Sequence, residues 1–312
     1  MLVWDIKELV CMKQPKLYQD EQYLRHLYYE LKMLPSEIAK FFNVTPSLIY
    51  RYFRKFNIKY DKSIDSTKHR KYHCDHHYFD IINSKTQAYW LGFIMADGNI
   101  ETRKNRKNTY RFILKLSKCD ETHIEKLNYV LQSDYPINDA TSHIRGKEHK
   151  CSVLRISNSM LCEGLMQNGV LPAKSCKEIF PKNCIPKEYW KDFIRGIFDG
   201  DGCFSWFFDN DRYIPSCSFS LCGSEQLLLD CFTYIYDCIG VNIPKITKRP
   251  DNDLYTATIG GNFNVLKIMN WIYANSTEEN RLDRKYNKYH EFLEEYNNPR
   301  YDEYKCKSNV YT

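Results

Sequence analysis

No apolar run in the sequence approaches the roughly 18 residues that a membrane-spanning helix needs, so no membrane partner is expected. The first ten residues, MLVWDIKELV, carry acids where an export signal would place a basic and then an apolar segment. An intracellular, soluble protein is expected, its compartment open. A large excess of charge is also missing: 45 Lys+Arg against 39 Asp+Glu leave +6 on 312 residues. That total neither establishes nor excludes a nucleic-acid partner. A disordered chain is excluded by 43% hydrophobic and 27% charged residues. The length suggests two or three domains of about 100–200 residues and a sizeable core. Cysteine, by contrast, is not scarce. The 13 present, an odd number with no export signal, are expected as reduced, mostly buried thiols.

The charge is unevenly placed. Residues 45–72 hold eight Lys+Arg (Arg51, Arg54, Lys55, Lys59, Lys62, Lys68, Arg70, Lys71) against Asp61 and Asp65. Residues 99–118 hold seven (Arg103, Lys104, Arg106, Lys107, Arg111, Lys115, Lys118) against Glu101 alone. Each segment is therefore +6 and the remainder −6. Clusters of this kind suit an anionic partner, because Lys and Arg that neutralise phosphates release condensed counterions. Two solvated surface stretches are the alternative.

Residues 35–56 show two helical periods around a break. Ile38, Ala39 and Phe42 share one face of the first. Asn43 tolerates the left-handed backbone of a tight turn. Thr45 is placed as N-cap, with Pro46 at the first helical position. Leu48, Ile49, Tyr52 and Phe53 face inward; Ser47, Tyr50, Arg51, Arg54 and Lys55 face outward. The pattern resembles a helix-turn-helix, whose second helix enters the major groove. Such motifs usually have Gly at the turn, and a plain helical hairpin is the alternative. Residues 57–84 read as a polar, basic connector containing His69, His73, Cys74, His76 and His77. These are zinc-ligand types, but HCDHH lacks separated ligand pairs, so a solvated linker is expected.

The rest of the chain repeats itself at an offset of 104. Gly92 matches Gly196, Asp97 matches Asp201, and Gly98 matches Gly202. Downstream, Asp120 and Ser224 are placed as matched N-caps, and Asn158 matches Asn262. Each copy reads as a helix ending at Asp-Gly, two strands, a helix, two strands and a closing helix. The strands are expected near 99–107, 109–118, 135–146 and 150–157, then 203–209, 213–222, 242–249 and 254–260. The fold class is α+β: two αββαββα repeats with antiparallel sheets behind a small all-α domain. Expected boundaries are 1–60 for the front domain, 61–84 for the linker, 85–184 and 185–312 for the repeats.

Small residues recur four apart, Gly92 with Ala96 and Gly196 with Gly200, which puts each pair on one helix face. The two helices are expected to pack there, about a pseudo-twofold. Asp97 and Asp201 then end adjacent helices, where the helix dipole is negative and the two acids repel. A divalent cation relieves both penalties, and carboxylates with backbone carbonyls are hard oxygen ligands suited to Mg²⁺. Asp97, Asp201 and the carbonyls of Ala96 and Gly200 form the expected metal site.

These paired motifs make residues 85–296 resemble a monomeric, two-motif LAGLIDADG homing endonuclease. The resemblance implies saddle-shaped sheets lying in the DNA major groove. It implies Asp97 and Asp201 holding Mg²⁺, or Mn²⁺ in its place, over the minor groove. It further implies in-line attack by metal-activated water on each strand, leaving a staggered break. Met95 departs from the family's Asp, which the second copy keeps as Asp199. The family's basic residues near the scissile phosphates correspond to Lys174 and, more loosely, Lys285, with Lys177 and Arg284 as competitors. DNA contacts are expected from Ser47, Tyr50, Arg51, Arg54 and Lys55. The first copy adds Arg103, Lys104, Arg106, Lys107, Arg111, Lys115, Arg145 and Lys147, and the second Lys245, Lys248 and Arg249. The second copy's first hairpin instead carries Asp209, Asp211, Arg212, Trp206, Phe207 and Phe208, which suits a non-palindromic target. Its aromatics read equally as core or as DNA-facing. A start at Met1 and an end without His-Asn do not suit an intein, so a freestanding or intron-borne monomer with no small-molecule substrate is expected. A non-cleaving DNA-binding regulator and an intron RNA maturase are the alternatives.

Overall fold

The structure is a computed structural model that describes residues 17–59, 61, 64, 71–102, 109–144, 146–172, 177–208, 214–250 and 252–302. The chain forms two compact units, Met1–His73 and Cys74–Thr312.

In the first unit, helix α1 (Glu21–Arg25) runs on as a π turn over His26–Glu30, and α2 (Pro35–Phe41) and α3 (Pro46–Lys55) follow. Asp20 caps α1 by accepting from the Tyr23 amide at 2.8 Å. Glu37 accepts from the Leu34 amide at 2.7 Å and closes the start of α2. The turn falls at Asn43, with φ at 53°, as its residue type predicts. Thr45 makes no side-chain cap bond; Pro46, with its fixed φ and no amide hydrogen to satisfy, starts α3 instead. Leu24, Leu27, Tyr28, Ile38, Ala39, Ile49 and Phe53 form the core.

The connector is not solvated throughout. Tyr28 Oη accepts from the Asp61 amide at 2.8 Å, and Tyr29 Oη donates to the Lys59 carbonyl at 2.9 Å. From Cys74 onward the chain belongs to the second unit. There the Asp75 amide donates to the Leu131 carbonyl at 2.7 Å, and Asn168 Nδ2 to the Phe79 carbonyl at 2.6 Å. Phe79 and Ile82 are buried. Each such side chain gains roughly 1.5–3 kcal/mol on burial, enough to dock a polar segment. The chain divides into its two compact units at residue 73.

The second unit carries the repeat as predicted. The first copy runs α4 (Lys85–Asp97), β1 (Gly98–Thr102), β2 (Tyr110–Ser117), α5 (Glu121–Val130), β3 (Ile137–Ile144), β4 (Lys147–Ile156) and α6 (Ser159–Gln167). The second runs α7 (Trp190–Asp201), β5 (Cys203–Phe207), β6 (Ser216–Gly223), α8 (Glu225–Ile239), β7 (Ile246–Lys248), β8 (Tyr255–Gly260) and α9 (Asn262–Tyr273). Helix α10 (Asp283–Tyr296) has no counterpart among the described residues of the first copy. Both sheets are antiparallel, ordered β1-β2-β4-β3 and β5-β6-β8-β7.

Strand alternation decides which face each sheet buries. On β2, Phe112, Leu114 and Leu116 are buried, while Arg111, Ile113 and Lys115 turn to the opposite, more open face. Ser84, Asn158 and Ser224 cap α4, α6 and α8. Asp120 does not cap α5, because the forked guanidinium of Arg284 takes its carboxylate at 2.9 and 3.0 Å. Asn262 departs from Asn158: its side chain ties the Cys217 amide and the Pro215 carbonyl instead. Of ten described cysteines, all free, only Cys151, Cys162, Cys217 and Cys231 are buried, so the expected mostly buried set does not hold. Cys203 shows why, since it alternates onto the open face of its sheet.

Candidate functional site

Helices α4 and α7 pack through the small residues that repeat. A methyl group added at Gly92 would stand 2.2 Å from the Phe193 carbonyl oxygen. One at Gly196 would stand 2.1 Å from the Tyr89 carbonyl oxygen and 2.6 Å from the Phe93 amide nitrogen. At Gly200 it would meet the Ala96 methyl at 2.3 Å and Asp97 Oδ2 at 3.3 Å. Only glycine lets the two backbones come this close. The contact brings the end of α4, with Asp97, against the end of α7. Asp97 and Asp201 are the last residues of their helices, and both are exposed. Two carboxylates therefore sit at the negative ends of two packed helix dipoles.

Beneath them lies a polar network that sequence reasoning missed. Asp199, 1% exposed, accepts from Tyr89 Oη at 2.9 Å, Tyr273 Oη at 2.8 Å and the Leu282 amide at 2.7 Å. Burial raises its pKa, against the opposing pull of Lys285 and these donors. Burial also raises the Tyr89 and Tyr273 phenols well above their usual range, and Asp199 adds to both shifts. His123 Nε2 lies 3.0 Å from Tyr89 Oη, and burial holds its pKa well below the ordinary value, helped by Lys126 and Lys285. Arg195 is fully buried, donating to the carbonyls of Asn280 at 2.8 Å and Ile272 at 3.1 Å and to Asp192 at 2.8 Å. The network joins residues of both copies, and no sequence spacing announces it. Met95, the counterpart of Asp199, is buried in the first copy.

The basic residues fall differently from expectation. Lys285 is not on a loop but in the first turn of α10, 7% exposed. Its ammonium donates to the carbonyls of Phe198 at 2.7 Å and Gly200 at 3.2 Å in the final turn of α7, and to that of Gly202 at 2.5 Å just beyond it. Burial lowers its pKa, while Asp199 and Asp97 pull it back up. Arg284 is committed to Asp120, and beside it Lys126 pairs with Asp283 at 2.6 Å, so α10 clamps onto the first copy. Lys177 is exposed. Lys174 lies outside the described residues.

The open face of the first sheet carries Arg111 and Lys115, joined by Arg155, which lies opposite Ile113 and which sequence reasoning passed over. The strand alternation that exposes Arg155 within a buried run was the available signal. Arg111 is 4.0 Å from Glu101, and Lys115 Nζ donates to the Thr141 carbonyl at 3.2 Å. Lys147 is exposed where β3 turns into β4. Arg103, Lys104, Arg106, Lys107 and Arg145 lie outside the described residues, as do Asp209, Asp211 and Arg212.

The second sheet's open face is lined by small polar residues: Ser205, Ser218, Ser220, Thr256 and Thr258. Its cations are partly occupied. Lys248 pairs with Asp253 at 2.8 Å, and Arg249 lies across the facing Cys222–Thr256 pair, donating 2.8 Å bonds to both. Lys245 is exposed. The aromatics divide. Trp206 packs toward Phe292 of α10 at 6.0 Å between ring centroids, whereas Phe207 and Phe208 are about half exposed.

In the first unit, Ser47, Tyr50, Arg51, Arg54 and Lys55 are all exposed along α3. A pocket of about 480 Å³ lined by Ser47, Tyr50, Phe53, Arg54 and Ile58 opens on that face.

The groups that could hold a metal are Asp97, Asp201 and the backbone carbonyls beside them. Among the described residues no three His, Cys, Asp or Glu side chains converge on one position, the HCDHH segment included. Two exposed carboxylates without nitrogen or sulfur donors fit Mg²⁺, which binds through one or two carboxylates plus phosphate and water. They do not fit a closed structural zinc site. No described helix is long and apolar enough to cross a membrane.

No family model matches the sequence, and no curated protein matches it significantly. Among solved structures, meganuclease I-SmaMI bound to uncleaveable DNA with a TTCT central four aligns over 66% of this chain and 88% of its own, at 14% identity and TM-score 0.46. The homing endonuclease I-WcaI bound to its DNA recognition sequence aligns over 66% and 87%, at 13% identity and TM-score 0.46. The I-SmaMI LAGLIDADG homing endonuclease bound to cleaved DNA aligns over 69% and 89%, at 14% identity and TM-score 0.43. All three alignments lie at 13–14% identity, and the chemistry of the site is read from this chain's own residues.

Proposed function

We propose that the chain is a site-specific, divalent-metal-dependent DNA endonuclease that acts as a monomer and makes a staggered double-strand break. One observation carries the reading: two exposed aspartates end two helices that pack backbone to backbone through Gly92 and Gly196. An exposed carboxylate at the C-terminal end of each of two packed helices is the kind of position that suits a bound cation. Bound Mg²⁺, or Mn²⁺ in its place, supplies an activated water and stabilises the leaving oxygen.

The chain's residues do the rest. Asp97 and Asp201, with the carbonyl of Ala96 on the neighbouring helix end, hold the cation site. The rigid α4–α7 contact sets the spacing between the two acids. Arg111, Lys115, Arg155 and Lys147 meet phosphates and base edges on one half-site, and Lys245 and Arg249 on the other. The exposed basic face of α3 (Ser47, Tyr50, Arg51, Arg54, Lys55) reads further DNA as a helix-turn-helix.

The test is incubation with DNA flanking the protein's own gene, with and without Mg²⁺. Cleavage by the wild type, but binding without cleavage by Asp97→Asn and Asp201→Asn, is expected. No metal-dependent cleavage, or equal cleavage by wild type and both variants, would refute the nuclease. Binding without cleavage by the wild type itself would return the non-cleaving regulator.

A further inference from the structure

Strand β5 divides its aromatics between two environments. Phe204 is buried, and Trp206 packs toward Phe292, with Phe208 edge-on to it at 5.9 Å between ring centroids. Phe207 alternates to the other side, onto the open face that carries Cys203 and Ser205, and it is 53% exposed. The next row of that face is low. Ser205 pairs with Ser218, and the two hydroxyls bond each other at 2.7 Å. The row continues to Gly260, where an added methyl would meet nothing within 4 Å. A phenyl ring therefore stands as a wall beside a shallow polar floor. The wall is set away from the acids. Phe207 lies four residues beyond Cys203, about 13 Å along the strand, and Cys203 follows the acid-bearing end of α7.

We propose that Phe207 is a specificity-determining residue that reads the C5 methyl of one thymine, in the outer part of the half-site under the second sheet. This rests on the DNA-reading part of the function proposed above and deepens it. In the major groove the base pairs differ in their hydrogen-bonding groups and in one apolar group, the thymine methyl. Serine hydroxyls bond donors and acceptors alike, so the floor discriminates little between bases. A phenyl ring offers apolar contact, and the methyl is its partner. Burying one methyl against the ring favours thymine about fourfold over the same base without it. The contact separates thymine from uracil and from cytosine, and it accepts 5-methylcytosine in place of cytosine.

The probe is the duplex that the full-length wild type recovers from a randomised DNA pool with Mg²⁺ withheld. It is resynthesised with each thymine changed in turn to uracil, which deletes only the methyl. One outer position is expected to lose about fourfold in affinity, and 5-methylcytosine there should bind more tightly than cytosine. Phe207→Ala should bind the thymine and uracil duplexes equally at that position while keeping its preferences elsewhere. 5-Iodouracil, close to thymine in shape, should crosslink from that position to Phe207 on irradiation. Thermal melting accompanies Phe207→Ala; if that variant does not fold, the uracil scan and the crosslink on the wild type decide. No outer thymine that is sensitive to uracil, an equal loss in Phe207→Ala, or a crosslink to a different residue overturns the inference and leaves the DNA-reading function intact. Failure of the wild type to recover any sequence from the pool overturns both.

Discussion

Gly196→Ala is the sharpest probe of the central helix contact, because two physical effects push it in opposite directions. In an exposed helix, alanine is better than glycine by about 1 kcal/mol. Here the new methyl would stand 2.1 Å from the Tyr89 carbonyl oxygen, 2.6 Å from the Phe93 amide nitrogen and 3.0 Å from the Gly92 carbonyl carbon. All three are backbone atoms, with no rotamer to give way. Relief requires α4 and α7 to part by about 1 Å, and overpacking of a tight core costs about 1–3 kcal/mol, here at the upper end. The net loss expected is about 2 kcal/mol. For a unit of this size that lowers Tm by about 4–8 °C, read by circular dichroism on wild type and variant side by side. Parting the helices also moves Asp97 relative to Asp201, so Mg²⁺-dependent cleavage should fall further than DNA affinity. A Tm equal to or above that of the wild type would refute the close approach, since helix propensity alone predicts a rise.

Other consequences follow from the same geometry. Arg284→Ala strips the buried Asp120 carboxylate of its forked partner and should cost about 1–2 kcal/mol in urea denaturation, the half-exposed guanidinium keeping the loss moderate. An unchanged midpoint would show that the clamp between α10 and the first copy contributes nothing. His123 is held below its usual pKa by burial, so below about pH 6.5 the unfolded chain binds a proton that the folded protein refuses. Its contribution is complete above that pH and is lost as pH falls, by at most about 1.4 kcal/mol per pH unit. His123→Gln, which keeps a partner for Tyr89, should flatten the stability curve between pH 6.5 and 5; parallel curves would refute this. DNA binding should weaken steeply with salt, and Arg111→Ala or Lys115→Ala should each reduce the slope by about one. A flat salt dependence in the wild type would count against the basic sheet face.

The repeat was legible because strands and helices have short, fixed periods. Alternation in Tyr110–Ser117 and four-residue spacing in Gly92–Ala96 and Gly196–Gly200 are local facts, and they announced the elements, their order and the packed helix pair. Asp97 and Asp201 were legible for the same reason: a carboxylate at a helix C-terminus is anomalous on local electrostatics alone. What the chain order could not express is which distant group competes for a given atom. Asp120 has the residue type and position of a cap, yet Arg284, 164 residues away in sequence, takes its carboxylate. Phe79 and Ile82 sit in a polar run that reads as linker until a core is there to receive them. Lys285 matches a basic residue near the scissile phosphates only loosely from the sequence, and only the docking of α10 makes it a buried ammonium on the carbonyls of Phe198, Gly200 and Gly202. The sequence by itself determined the periodic elements, their duplication and the two acids. The tertiary structure alone decided how charge is shared around those acids, because hydrogen bonding and burial depend on distance in space and not along the chain.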